Sequence, residues 1–464
     1  MSNELQDKVS ELAAELEVVG VAAGILVDEQ EQYGFSGVTS VPNPLPVEEG
    51  TLFQIGSTTK TFTAAALLRL VDQGRVELEA PVRTYVPEFH TKQPEVGERV
   101  TVLQLLNHTA GWDGDFFADT GNGDDALERY VGRMADLDQL TPLGEQVSYN
   151  NASLSLAGRV IEKVCGTTYE HAVHDLLLAP LGLDNTWFFP TDVITRRFAV
   201  GHTCHQDGRV TVARPWAVPR SAAPAGGLSA NVADQLAWAR FHLGDGTAPD
   251  GTRLLPATLL RRMQEPTADM RGSDLGDYVG LSWLLRDLDG TRLVEHGGGT
   301  NGQLSAFTMA PEHGFALVSM TNSGPNGIRF NHDLLEWALE HHLGLRDHLP
   351  EPLAVGAEQL AAFAGEYETI AVTGTVTVEQ GGLKLVGRPK PGVVEIMGGE
   401  EGGSGSKIPL ALVAGAGDPF VVSDGPGKGT RGYFTRDAQG VVNGMHFAGR
   451  LATRTSESSG RSEA

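Results

Sequence analysis

The chain has 464 residues, of which 35 are Lys or Arg and 59 are Asp or Glu, so its formal net charge is −24. A surface this acidic repels the phosphates of nucleic acids and the headgroups of anionic membranes, and we expect neither as a partner. A single hydrophobic core rarely grows beyond about 250–300 residues, which predicts at least two domains.

Cysteine content and hydropathy indicate the compartment. The two cysteines are too few for a disulfide framework, and no uninterrupted apolar stretch approaches the length of about 18 residues expected of a membrane span. The N-terminal sequence lacks the basic start, apolar core and cleavage site of a signal peptide. We therefore expect a cytoplasmic protein.

The first part of the chain alternates helical and strand-like patterns. Apolar residues at helical spacing predict an amphipathic helix over residues 4–18, and VAAGILVD (21–28) is typical of a buried strand. Residues 57–72 are apolar almost all round, which predicts a buried central helix. Further strand-like runs and a last helix lie at 33–35, 291–298, 302–311, 314–322 and 331–344. Helices at both ends with strands between them predict an α/β sandwich with a helical insert.

The composition changes after residue 345. A polar, proline-containing segment at 346–356 is typical of a linker. Beyond it, short strand-like runs are separated by glycine-rich turns, the longest of which is GGEEGGSGS at 398–406. This pattern predicts a small antiparallel β-barrel or sandwich. We assign residues 1–345 to an α/β domain, 357–452 to the barrel and 453–464 to a disordered tail.

Ser57 and Lys60 lie three residues apart at the start of the predicted buried helix, so their side chains share one helix face. A serine hydroxyl becomes a good nucleophile only when a base takes its proton. A lysine amine can be that base if burial lowers its pKa. The helix N-terminus also presents the Ser57 backbone N–H to the negative charge that develops during acyl transfer.

Two later stretches carry polar groups suited to the same chemistry. Tyr149 and Asn151 precede a helical run at 154–164, where the hydroxyl could transfer a proton and the amide could bind a carbonyl. The alternative is a surface turn with an asparagine N-cap. His296 begins a His-Gly-Gly-Gly run after a strand, where glycine lets a substrate backbone approach an edge strand. The alternative is a turn between two strands.

These motifs, in this order, resemble the class C β-lactamase family and its relatives, which include D-aminopeptidases, DD-carboxypeptidases, family VIII esterases and related transacylases. Further stretches at residues 5–345 are similar to the family as well: FQIGSTTKTFTA, LLNHTAGW and APAGGLSANVADQLAWARF. The resemblance implies an antiparallel sheet flanked by helices with a helical subdomain. FAGEYET and VNGMHFAGR resemble the lipocalin-like barrel of some members. Such a barrel could cover the active-site mouth, join subunits of a homo-oligomer, or only pack against the first domain.

The resemblance also implies roles for the matched residues. Ser57 would be the acylated nucleophile, and Lys60 and Tyr149 would share the acid and base work, with the choice of acylation base left open. Asn151 would orient Lys60 and the substrate amide. The backbone N–H groups of Ser57 and Gly299 would form the oxyanion hole. The side chains and backbone expected to contact substrate are those of Gly297, Gly298, Trp112, Phe116 and Phe117.

One position departs from the β-lactamase pattern. His296 stands where β-lactamases carry the lysine of Lys-Thr-Gly, whose positive charge helps to hold the carboxylate of a β-lactam. Because a histidine is mostly neutral at pH 7, we expect weak activity on classical β-lactams. Residues 111–125 carry five aspartates and either select amine-bearing substrates or form a solvated loop. His202, Cys204 and His205 lack a fourth ligand at a familiar spacing, and we expect no metal.

The sequence therefore predicts a serine hydrolase that acylates Ser57 with a small-molecule ester, amide or peptide, D-amino-acid substrates included. It would need neither a metal nor an organic cofactor. One alternative is a transacylase that passes the acyl group to an amine. Another is a β-lactamase or penicillin-binding protein, and a third is a catalytically silent binding protein.

Overall fold

An antiparallel sheet and a closed barrel organise the chain in the computed structural model, which describes residues 3–205, 207–390, 407–425 and 427–455. The strands are β1 (Gly20–Val27), β2 (Gln30–Gly37), β3 (Phe53–Gln54), β4 (Thr186–Trp187), β5 (His202–Cys204), β6 (Val210–Val212), β7 (Ser229–Ala230), β8 (Ala268–Ser273), β9 (Gly276–Val279), β10 (Leu284–Leu288), β11 (Thr291–Gly299), β12 (Leu304–Ala310), β13 (Phe315–Thr321), β14 (Ser323–Gly324), β15 (Gly365–Glu368), β16 (Val372–Glu379), β17 (Gly382–Pro389), β18 (Ile408–Leu412), β19 (Pro419–Val422), β20 (Arg431–Arg436), β21 (Val442–Phe447) and β22 (Arg450–Thr455).

All helices but the last belong to the first domain, and the last packs against the barrel. The helices are α1 (Glu4–Glu15), α2 (Thr59–Asp72), α3 (Pro94–Arg99), α4 (Val102–Leu106), α5 (Ala126–Arg133), α6 (Asn151–Cys165), α7 (Tyr169–Val173), α8 (Ala179–Leu181), α9 (Pro190–Val193), α10 (Ala223–Gly226), α11 (Val232–Leu243), α12 (Ala257–Met263), α13 (Asn326–Leu343) and α14 (Ala357–Leu360). No helix among the described residues is long and apolar enough to cross a membrane.

The main sheet has eight antiparallel strands in the order β2-β1-β13-β12-β11-β10-β9-β8. Its two faces are covered because successive side chains of a strand point to opposite sides. On β1, Val21, Ala23 and Ile25 pack with the apolar faces of α1 and α13. Ala22 and Leu26 belong to the larger core on the other side, which contains α2, α6 and α11. This is the α/β arrangement that the sequence predicts.

Helix α2 is buried along most of its length, as its all-round apolar pattern predicts. Its Phe62 ring stacks on Trp238 of α11 at a centroid distance of 4.0 Å. Its threonine side chains bond within the protein: Thr63 Oγ1, for example, is 2.8 Å from the hydroxyl of Tyr169 on α7. A helix held on all sides keeps the residues at its N-terminus in a fixed position.

The C-terminal part is a closed barrel in which β15 pairs with both β16 and β22. Its interior is apolar and contains the aromatic side chains of Tyr367, Phe420 and Phe434. Closure removes the unpaired edges that would otherwise expose backbone polar groups. The predicted barrel is therefore confirmed.

The structure corrects the predicted end of the barrel. Residues 453–455 were assigned to a disordered tail, but they lie in β22, where Thr455 pairs with Glu366 and Thr453 with Glu368. The polar run TRT does not have the apolar alternation that indicates a strand, and pairing with β15 is what orders it. The remaining tail, 456–464, and the glycine-rich turn at 398–406 lie outside the described residues.

Candidate active site

Ser57 and Lys60 face each other across one turn of backbone. Ser57 lies in a 3₁₀ turn, Gly56–Thr58, that leads directly into α2, and Lys60 is the second residue of that helix. Lys60 Nζ donates to Ser57 Oγ over 2.9 Å. The spacing that the sequence analysis singled out therefore brings the hydroxyl and the amine into hydrogen-bond contact.

The surroundings of Lys60 favour its neutral form. Its side chain is 0% exposed, and Nζ also donates to the carbonyl of Ala225 over 2.6 Å. No carboxylate among the described residues lies within 4 Å of this amine to form an ion pair. Burial lowers the pKa of Lys60 well below its usual range, Arg450 lowers it further, and Asp115 acts in the opposite direction.

Tyr149 lies close to both Lys60 and Arg450. Its ring centroid is 4.8 Å from Lys60 Nζ and 4.7 Å from Arg450 Cζ. Burial raises the pKa of this phenol above its usual range, and a hydrogen bond with Ser57 opposes that shift. The hydroxyl is therefore protonated at neutral pH and available as a donor.

The two asparagines after Tyr149 have different partners. Asn150 caps α6, because its side chain accepts from Ser153 N over 2.8 Å. Asn151, the first residue of that helix, donates through Nδ2 to Asp115 Oδ1 over 2.8 Å. The described hydrogen bonds of Lys60 go to Ser57 and Ala225 rather than to Asn151. The family resemblance implied that Asn151 orients Lys60, whereas in the structure Asn151 bonds to Asp115.

The glycines at the end of β11 let this strand pass close to the nucleophile. A methyl group on Gly298 would lie 1.9 Å from the carbonyl oxygen of Ile55 and 2.8 Å from Ser57 N. A methyl group on Gly56, which has a φ of +49°, would lie 2.6 Å from Gly299 N. The end of β11 is therefore in contact with the Ser57 turn, and only glycine allows that distance.

His296 lies in β11 two residues before Gly298, and its ring is buried. It is 2% exposed, and its Nδ1 is 2.6 Å from the carbonyl of Gly297. Burial, together with the nearby Lys60, lowers the pKa of His296 to about 3. Its Nε2 has no hydrogen-bond partner among the described residues. The side chain at this position therefore carries no positive charge at neutral pH.

A second buried histidine was not singled out from the sequence. The His108 ring lies 4.6 Å from the Tyr149 ring, and its Nδ1 accepts from Asn150 N over 3.1 Å. Burial lowers the pKa of His108 well below its usual range, and the nearby Lys60 adds to this. His108 lies in the segment LLNHTAGW, which resembles the family, and that similarity could have indicated a residue near the site.

The barrel contributes to this site through the hairpin between β21 and β22. The carbonyl of Gly449 accepts from Tyr149 N over 2.8 Å, and Leu451 N donates to Ser148 Oγ over 3.2 Å. Arg450 forms a bidentate pair with Asp115, from Nε at 3.0 Å and Nη2 at 3.2 Å. The Ser57 site is thus built from both domains.

The chain is similar to one known protein family over most of its length. The β-lactamase family model matches residues 5–364. The chain belongs to the β-lactamase family. Penicillin-binding protein 4 of Amycolatopsis lactamdurans is 35% identical over 370 residues, which cover 78% of this chain and 96% of that protein.

Solved structures resemble this β-lactamase-family chain over the barrel as well as over the first domain. SurE superposes with a TM-score of 0.77 at 26% identity and covers 97% of this chain and 98% of its own. A second structure of SurE holds D-Leu. An octameric penicillin-binding protein homologue from Pyrococcus abyssi has a TM-score of 0.65 at 22% identity, covering 97% of this chain and 99% of its own, and supports the fold alone.

The expected substrate contacts of this β-lactamase-family chain divide into two groups. Trp112 is 1% exposed and packs against Phe89 in the core, so a substrate cannot reach its ring. Phe116 and Phe117 line a small pocket together with Asn151 and Ala225, whose carbonyl binds Lys60. The aromatic residues adjoining the site are therefore the two phenylalanines.

The aspartate-rich loop at 111–125 has a buried half and an exposed half. Its first half is buried at the domain interface, where Asp113 accepts from Ile370 N of the barrel over 2.6 Å and Asp115 pairs with Arg450. In its second half, Asp119 and Asp124 are exposed. The buried half is explained by the barrel, which the sequence did not place beside this loop.

The histidines considered for a metal site have other partners. His202 Nε2 accepts from Val41 N and its Nδ1 lies 3.0 Å from the carbonyl of Asn322, so both ring nitrogens are occupied. His205 Nε2 is 2.8 Å from Thr211 Oγ1. The described part of the chain holds one group with metal-ligand spacing, on the surface of α13: His332, Asp333 and Glu336.

Proposed function

We propose that the protein is an acyl-transfer enzyme that forms an acyl-enzyme on Ser57 and hydrolyses it. The observation that carries this proposal is the 2.9 Å contact between Ser57 Oγ and the amine of Lys60, which is buried without an ion-pair partner among the described residues. A neutral amine at this distance can accept the serine proton as Oγ attacks a carbonyl carbon.

The raised pKa of Tyr149 favours Lys60 as the acylation base. A phenol that remains protonated cannot remove the Ser57 proton, but it can donate a proton to the leaving group. The backbone N–H groups of Ser57 and Gly299 are the proposed donors to the developing oxyanion. The proton on Lys60 then passes to Tyr149, which restores both residues. Water attacks the acyl carbon, Lys60 takes the proton of the attacking water, and this proton returns to Ser57 Oγ as the acid product leaves.

The proposed substrates are esters, amides or peptides, including those of D-amino acids. The neutral His296 offers no cation for the carboxylate of a classical β-lactam, so turnover of such compounds should be slow. The SurE structure with bound D-Leu supports a D-amino-acid group in the substrate.

A second candidate is a penicillin-binding protein whose acyl-enzyme persists. The similarity to penicillin-binding protein 4 over nearly its whole length favours it. The two candidates differ in deacylation, because a slow deacylation step traps label on Ser57. A transacylase is distinguished by its product, since added amine would appear in the product in place of water.

The experiment compares wild type with Ser57→Ala on p-nitrophenyl esters, D- and L-amino-acid amides, D-Ala-D-Ala peptides and nitrocefin. Loss of a serine nucleophile typically lowers kcat by about a million-fold, so all turnover should disappear. Ser10→Ala, an exposed serine of α1, is the matched control and should be unchanged. Intact mass after fluorophosphonate or penicillin treatment should rise in wild type and in Ser10→Ala but not in Ser57→Ala. Retained turnover in Ser57→Ala would refute the proposal.

A further inference from the structure

The β21–β22 hairpin is fixed to the catalytic residues by its backbone. Gly449 accepts from Tyr149 N and donates to Asp274 Oδ1 over 3.1 Å. Gly449 has a φ of +73°, and a methyl group on it would lie 2.2 Å from Leu275. A glycine in the left-handed region with no room for a side chain lets this turn lie directly against the site. The position of Arg450, the next residue, follows from that contact.

Arg450 contacts two residues of the site directly and a third through Asp115. Its guanidinium binds Asp115 in bidentate geometry and covers the face of the Tyr149 ring. Its Nη1 also donates to the carbonyl of Ala448 over 2.8 Å. Asp115 in turn accepts from Asn151. Bidentate pairs of this kind fix orientation as well as charge. A single side chain from the barrel therefore constrains both residues of the Tyr-x-Asn motif.

Several ionisable groups surround Lys60. His108 and His296 are buried rings with lowered pKa values, so they are neutral at pH 7, and Tyr149 is a protonated phenol. The formal charges acting on the amine are those of Arg450 and Asp115. These two act in opposite directions, because a nearby cation disfavours a protonated lysine and a nearby anion favours it.

We propose that Arg450 is a positioning residue of the active site: through Asp115 and the face of Tyr149 it holds the catalytic groups in place, and its charge offsets that of Asp115 at the Lys60 amine, so that the barrel is part of the catalytic machinery. This inference rests on the proposed function, in which Lys60 is the acylation base. Arg450 acts through these neighbours and needs no contact with substrate.

The size of the effect follows from the geometry. The distances to the Tyr149 ring, 4.8 and 4.7 Å, place the charges of Lys60 and Arg450 at most about 9.5 Å apart. At an effective dielectric constant of about 20, unit charges at that distance shift each other's pKa by about one unit. Below the pKa of the base, kcat/KM depends on the neutral fraction of Lys60, so one unit corresponds to about a tenfold change in rate.

The test is the pH profile of kcat/KM for the best ester substrate, measured on the full-length protein. Arg450→Gln should move the acid limb to higher pH by about one unit, because a repelling cation is lost. Asp115→Asn should move it to lower pH, because an attracting anion is lost. The double variant should return the limb towards wild type. Both single variants should also lower the plateau, since each releases Asn151 and Tyr149.

A matched control exists in the same barrel. Arg436 pairs with Asp418 over 2.6 Å, donates to the carbonyl of Gly440 and covers the ring of Phe363, which is the same set of contacts remote from Lys60. Arg436→Gln should leave the acid limb and the plateau unchanged. Arg450→Lys retains the charge without the bidentate geometry, so its acid limb should match wild type while its plateau falls.

The outcomes separate this inference from the proposed function. Failure of wild-type Ser57 to become acylated would remove the proposed function itself. Normal acylation with an unmoved acid limb in both Arg450→Gln and Asp115→Asn would overturn the role of Arg450 alone. A rise in KM confined to substrates that carry a carboxylate, with the limb unmoved, would overturn it in favour of substrate binding. Circular dichroism and thermal unfolding identify any variant that fails to fold.

Discussion

Gly298→Ala should separate catalysis from folding. The added methyl group would lie 1.9 Å from the carbonyl oxygen of Ile55, and side chains essentially never approach closer than 3.0 Å. The end of β11 must therefore retreat by about 1.1 Å from the Ser57 turn. A misplacement of about 1 Å can cost about 100-fold in rate, or about 2.7 kcal/mol of transition-state stabilisation. We expect that loss in kcat/KM for a p-nitrophenyl ester.

The two neighbouring glycines provide the control. A methyl group on Gly297 would meet its nearest neighbour, the carbonyl oxygen of Ser305, at 3.3 Å, and one on Gly299 would meet Leu304 at 3.4 Å. Gly297→Ala and Gly299→Ala should therefore keep most of the activity. Thermal unfolding of all three variants, recorded beside the kinetics, excludes global loss of structure. Wild-type activity in Gly298→Ala, or an equal loss in Gly297→Ala, would refute the steric reasoning.

Three further predictions concern charge and capping. Because His296 is neutral, the carboxylate of nitrocefin forms no charged hydrogen bond with this residue, and such a bond contributes about 1.5–3 kcal/mol. We therefore expect kcat/KM for nitrocefin to be at least about tenfold below that for the best ester. Faster turnover of nitrocefin would contradict this. Burial lowers the pKa of His242 to about 3, so below pH 6.5 the unfolded state binds a proton that the folded state excludes. Between pH 7 and pH 4, the free energy of unfolding measured by urea titration should therefore fall by up to about 3 kcal/mol less in His242→Leu than in wild type. An equal fall in both proteins would contradict this role of His242. Asn150→Ala removes the cap on Ser153 N and should lower the free energy of unfolding by about 1–2 kcal/mol; a stability equal to wild type would show that another group caps α6.

Much of the fold follows from local apolar patterns. The continuous apolar run of β1 and the all-round apolar pattern of α2 predicted both elements, and the structure confirms them as Gly20–Val27 and Thr59–Asp72. Strand β22 was missed because its polar residues are ordered by pairing with β15, a contact between residues about ninety positions apart. Local patterns carry no information on such a pairing.

The site was predictable only where its residues lie in short motifs. Ser57 and Lys60 share a helix face, so sequence spacing alone places them together. Arg450 lies 335 positions from Asp115, and the sequence around neither residue indicates that the two are in contact. The docking of the barrel brings the two together, and docking depends on surface shape rather than on a repeating pattern. Trp112 was misjudged for a related reason, since its burial depends on packing against Phe89.

The pair between Asp115 and Arg450 also limits how the two domains can be exchanged between relatives. A chimaera that joins this first domain to a barrel without an arginine after the hairpin glycine would leave the Asp115 carboxylate beside Tyr149 without its counter-charge. Such a protein could fold in both halves and still be a poor enzyme. An exchange of domains in this architecture must therefore retain both Asp115 and Arg450. A replacement barrel should keep the glycine and arginine found at Gly449 and Arg450.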